Sequence, residues 1–222
     1  IIAGQMGFPV GRINLLVKSA ILHDIGALKL QQLPDAEDLD DGTKEVVKKN
    51  TQETLDRYGD LDEEVLRLIT QMQELYTRES DAEIPAGLKE SVNANILYVA
   101  DAYDRMTAMK SFEEPTSEVK AVRELLADEE RYNKKIVNAL IHGISILYPG
   151  VCVELSNGEK GLVITENEDN IFEPTVLDFR NNNLYDLSDP SVKQTIEIAD
   201  VMKTMDNRIK LDKSLLEEYQ AN

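Results

Sequence analysis

Cysteine is almost missing from this 222-residue chain: Cys152 stands alone. An internal disulfide is excluded, a reducing, cytoplasmic setting is expected, and Cys152 itself reads as a small buried hydrophobe. Positive charge is scarce as well. Twenty-four Lys and Arg face 42 Asp and Glu, for a net charge of −18. Contact with a phosphate backbone needs clustered cations, so nucleic acid is excluded as a partner. The densest basic segment, Lys44 with Lys48 and Lys49, is diluted by Glu45 and reads as a solvated helix face. An anionic small ligand would need a locally positive pocket or a bound metal. No apolar run is long enough to cross a bilayer, and no internal repeat or low-complexity tract is visible. The chain opens on Ile1-Ile2-Ala3-Gly4, as though inside a helix, and so reads as part of a longer protein. Histidine occurs only twice, at His23 and His142.

What remains is a composition that is 42% hydrophobic and 30% charged, suited to a soluble globular protein. Residues 12–27 predict a helix that is apolar nearly all round, hence central. The acidic stretch 31–42 predicts a loop, followed by helices over Thr43–Tyr58 and Asp62–Tyr76. On the second of these, Val65, Leu68, Ile69 and Met72 share one face. A polar loop over 77–88 leads to a long helix over 90–110, apolar on more than one side. Further helices are predicted over Thr116–Ala127, capped by Thr116 or Ser117, and over 133–146, where His142 reads as a C-terminal residue before Gly143. The period then changes. Asn157-Gly158 between two apolar runs predicts a hairpin, and Val176–Phe179 with Leu184–Leu187 a second strand pair. A final apolar-striped helix is predicted over 190–219, able to pack on the β-module or on a second copy of the chain. The expected fold is mainly α: a helical bundle over 1–148, then a small antiparallel β-module and a C-terminal helix over 149–222, packed on the bundle as one unit.

His23-Asp24-Ile25-Gly26 closes the first apolar run. Burying two ionisable groups is costly unless they are paired or ligate a metal. Asp101 falls on the inward side of the long helix, with Leu97, Tyr98 and Ala108, and also needs a partner. One imidazole and two carboxylates suit iron, manganese, zinc or magnesium. The same residues also read as a capped helix end beside an unrelated buried Asp.

Ser19-Ala20-Ile21-Leu22-His23-Asp24-Ile25-Gly26 resembles the motif that names the HD superfamily of metal-dependent phosphohydrolases. Ile96 to Thr107, containing Val99-Ala100-Asp101-Ala102-Tyr103-Asp104-Arg105-Met106-Thr107, resembles the "vADvyDALT" helix of its HD-GYP branch. Tyr148 to Val163 resembles that branch's "yPvGs.V.LsnGe.G.V" segment. The resemblance implies an HD-type helical bundle, a centre of two or three metals and hydrolysis of the cyclic dinucleotide c-di-GMP. It implies His23 as a metal ligand, Asp24 as a bridge between metals and Asp101 as a further ligand.

Elsewhere the chain departs from that pattern. Asn50 stands where the "HTxxG" segment has His, and Thr54 where it has Gly. Met72-Gln73-Glu74 stands where "HHE" is found, so three imidazoles are gone. The "DGxGYP" loop is replaced by Thr77 to Pro85. Arg78, Arg105 and Lys110 are the basic residues nominated near the pocket, with Arg78 and Lys110 the weak ligand-binding candidates. His23, Asp24 and Asp101 then hold one divalent ion (Fe, Mn or Zn) or none. Two functions follow from this pattern. One is a degenerate HD-GYP-like domain acting as a signalling or scaffolding module, with c-di-GMP or a signalling protein as partner. The other is a phosphohydrolase working on a reduced metal site.

Overall fold

The structure is a computed structural model that describes residues 1–30, 41–58, 61–77, 84–109 and 114–202. The chain divides into two compact units, one of Ile1–Thr116 with Ala121–Ile144, the other of Ser117–Lys120 with Ser145 onward.

The first unit is helical. It contains α1 (Ile2–Gln5), α2 (Val10–Leu22), a 3-10 helix (Ile25–Lys29), α3 (Asp41–Tyr58), α4 (Glu63–Tyr76), α5 (Ala86–Lys89) and α6 (Val92–Thr107). Most of α7 (Glu118–Ala127) and all of α8 (Lys134–Ile144) complete it. The core lies around α4 and α6. Val65, Leu68, Ile69, Met72 and Leu75 recur every three or four residues on α4 and are all buried, as an amphipathic helix requires. The helix starts at Asp62, whose Oδ1 accepts from Glu64 N at 2.9 Å, which satisfies one orphan donor of the first turn. α6 buries Ala94, Ile96, Leu97, Tyr98, Val99 and Ala102, more than one face, as its sequence predicted. α4 packs against both α2 and α6, and the 3-10 helix packs against α3.

α2 departs from expectation. Its apolar residues were read as belonging to a central helix, yet only Leu15, Leu16 and Ser19 are buried. Val17 is 50% and Ile21 70% exposed. The helix also ends earlier, at Leu22, and the chain continues as a 3-10 helix rather than to residue 27. Apolar content reports how much surface a helix would like to bury, not how many neighbours it has.

The second unit contains an antiparallel sheet of β1 (Cys152–Leu155), β2 (Lys160–Thr165), β3 (Thr175–Asp178), β4 (Leu184–Asp186) and β5 (Ile198–Val201), in the order β4-β3-β2-β1-β5. The β1–β2 hairpin turns at Asn157-Gly158 as predicted. Gly158 has φ +81° and its N–H donates to Leu155 O at 2.9 Å, a backbone conformation that favours glycine. Cys152, expected to be buried, is only half-buried. Burial nonetheless pushes its thiol pKa up.

The predicted fold class, helical bundle followed by a small antiparallel sheet, is the observed one. The span assigned to the last helix is corrected. Within 190–202 there is one helical turn, Pro190–Lys193, capped by Asp189 Oδ1 accepting from Ser191 N at 2.8 Å, and then β5. Ile196 and Ile198 are buried while Glu197 and Ala199 are exposed. That period of two fits a strand and not a helix. The rest of the predicted helix, and the self-association assigned to it, lies outside the described residues. Among those described, no helix is long and apolar enough to cross a membrane.

Candidate functional site

The His23-Asp24 segment is a junction. His23 closes α2 with φ −62° and ψ −30°, and Asp24 opens the 3-10 helix with φ −117° and ψ 14°. What fixes the junction is Gly26. A Cβ there would lie 2.3 Å from both Thr51 N and Val47 O of α3, so only glycine allows this approach. Gly26 N–H donates to Thr51 Oγ1 at 3.0 Å, and Thr51 is fully buried.

Two amides complete the seat. Gln73 of α4 donates from Nε2 to the His23 carbonyl at 2.8 Å. Asn50 of α3 donates from Nδ2 to the Gly26 carbonyl at 3.4 Å, a longer and weaker contact. Met72 is 1% exposed and belongs to the apolar core. At the three positions where the resemblance implies imidazoles, two side chains thus hold backbone and one fills space.

His23 Nδ1 lies 2.7 Å from Ala20 O. A carbonyl only accepts, so Nδ1 carries the proton. Nε2 then faces Asp101 Oδ1 across 3.4 Å. Burial disfavours the charged ring, but the hydrogen bonds to Asp101 and Ala20 O and the charges of Asp101 and Asp24 outweigh it. The His23 pKa is raised above its ordinary 6.5, which favours an imidazolium that donates on both sides.

Asp101 comes from the middle of α6, and its side chain is 16% exposed. Its second oxygen, Oδ2, lies 3.0 Å from Arg105 Nε, one helical turn on, an ion pair rather than an aligned hydrogen bond, and both atoms are cut off from solvent. The guanidinium also sits over the Tyr76 ring, 4.4 Å from its centroid, an arrangement that attracts a cation to the ring face. One turn before Asp101, Tyr98 stacks on Tyr132 with centroids 5.4 Å apart. Burial, then the nearby Tyr132, pushes the Tyr98 pKa to about 12.

The structure places His23 beside Asp101 and does not bring Asp24 to them. Asp24 is 64% exposed, and its nearest approach to the ring is 3.9 Å at Nδ1, the nitrogen turned away from Asp101. The two carboxylates flank the imidazole from opposite sides instead of converging. Among the described residues no group of three or more His, Cys, Asp or Glu could hold a metal ion. The donor set does not fit a metal centre: Nε2 and one Asp101 oxygen converge, whereas the other oxygen is taken by a permanent cation. Arg78 and Lys110 lie outside the described residues. His142 is exposed in the last turn of α8, as predicted.

The residue whose role the sequence reading missed is Arg105. It was named only as a basic residue near the pocket, although the signal was present: it stands at the alanine of "vADvyDALT". Four residues after Asp101 on one helix, an alanine cannot reach the carboxylate and an arginine can.

Residues 1–106 match the family model described as HD domain. That span contains His23, Asp24, Asp101 and Arg105, and the match supports the HD superfamily of metal-dependent phosphohydrolases for this part of the chain. No curated protein and no solved structure matches the chain.

Proposed function

We propose that this chain is a degenerate HD-GYP-like domain without c-di-GMP phosphodiesterase activity, acting as a regulatory or scaffolding module in signalling. The observation that carries this reading is the use made of Gln73 and Asn50. An imidazole offers a metal its ring-nitrogen lone pair; an amide N–H offers none and leaves only the weaker amide oxygen. Both amides direct their N–H groups at the backbone of the His-Asp junction, and Met72 beside Gln73 is a buried thioether poorly matched to hard cations. The residues surrounding the junction work as structural ties, and a tie is what a module needs if it recognises a partner rather than transforms a substrate.

The test is an assay of c-di-GMP hydrolysis with protein purified without chelator and supplied with Fe(II) or Mn(II), beside an active family member. No turnover is expected. Turnover abolished by His23→Ala would establish the alternative, a metal-dependent phosphohydrolase on a reduced site. Calorimetry with the same nucleotide separates a domain that binds it without cutting from one that works through a protein partner.

A further inference from the structure

The charge on Asp101 needs compensation wherever the carboxylate is removed from water. Two groups meet it. His23 Nε2 stands 3.4 Å from Oδ1, long for a hydrogen bond. Two ligands of one tetrahedral ion, each about 2.0–2.1 Å from it, keep a separation of about 3.4 Å. The His23–Asp101 contact keeps the spacing of a ligand pair. The other oxygen, Oδ2, lies 3.0 Å from Arg105 Nε. A guanidinium does not deprotonate in proteins, so its charge is permanent. It is also held in place: its stem rises from the same helix as Asp101, and its plane lies over Tyr76 at 4.4 Å.

We propose that Arg105 is the resident cation of this site, compensating Asp101 where a divalent ion would otherwise do so and keeping such an ion out. The inference deepens the functional reading above and rests on it for the absence of catalysis. It adds the reason Asp101 is tolerated out of water without metal. The ion excluded is one that accepts an imidazole and a carboxylate, such as Zn(II) or Mn(II).

Thermal unfolding with EDTA and with added Zn(II) or Mn(II), together with equilibrium dialysis of each ion, tests this. Wild type is expected to unfold at the same Tm in all conditions and to bind substoichiometric metal. Arg105→Met keeps an apolar stem against Tyr76 and removes the charge. Its Tm should fall in EDTA and recover on addition of metal, with an ion bound. Arg105→Lys should be as blind to metal as wild type. Asp101→Asn combined with Arg105→Met should bind none and should lose less Tm than the two single changes added together, because no buried charge is then left unpaired. If Arg105→Met does not fold, that double variant still decides: it should fold, because no buried charge is then left unpaired, and a double variant that also fails to fold would overturn the proposal. So would a folded Arg105→Met that ignores both ions, or a wild type that takes up metal through Asp101. A metal-blind Arg105→Met would sink this inference alone, whereas nucleotide hydrolysis by wild type would sink the functional reading.

Discussion

His23 carries the one ionisation in the site with a direction that can be tested. Its folded-state pKa is raised above 6.5. The folded chain holds the proton more tightly than the unfolded chain, so the stabilisation is fully present below about pH 6.5 and is lost as pH rises through the higher folded value. Between about pH 6 and pH 8 the unfolding free energy of wild type should therefore fall more than that of His23→Gln. Urea denaturation of both proteins at the two pH values measures this. His142 is common to both, so the comparison isolates His23, and equal pH responses would remove the imidazolium from the account. Asp101 was legible from sequence because a carboxylate on the inward side of a helix with so many apolar positions has to find a partner. Asp24 lies nearer Nδ1 than the nitrogen facing Asp101, a placement that adjacency in sequence does not reveal.

At the scale of elements, the junction between α2 and the 3-10 helix depends on Gly26. Any side chain there meets the α3 backbone at Val47 O and Thr51 N, neither of which is the yielding end of a side chain. Gly26→Ala should cost about 1–3 kcal/mol of stability and lower protection of the Thr51 region from hydrogen exchange. A substitution without either effect would mean that the turn is free to move away from α3. Most elements could be read from sequence because their periods are clean: α4 keeps its three-and-four spacing, and β1–β2 is announced by Asn157-Gly158. β5 was missed for a specific reason. Val192, Ile196 and Ala199 also fit a helical stripe, and the alternation of Ile196 and Ile198 was too short to outweigh it. Strand pairing with β1, a partner more than forty residues away in sequence, decided the matter.

At the scale of the whole molecule, the family match and the candidate site lie in the same helical unit, whereas the sheet lies beyond the matched span. Replacing Asn50, Met72 and Gln73 together by His tests whether the helical unit retains the geometry of a metal-binding relative. Metal content measured after dialysis should rise. Tm without metal should fall, because the half-buried His23 carbonyl loses a donor at a cost of about 1 kcal/mol and a ring enters the core at position 72. A triple variant that gains no metal, both with Arg105 in place and with Arg105→Met, would show that the family geometry at these positions is gone. The amides at 50 and 73 also give any history of this fold a direction. Once a side chain that grips an ion has been replaced by one that grips the backbone, stepping back means weakening the seat before the ion can repay the loss. With several positions to revert, each intermediate is less stable than the start and not yet loaded. If the domain has lost its metal as proposed, the hydrogen bonds from Gln73 and Asn50 act as a ratchet, setting each reversion against the stability of the seat.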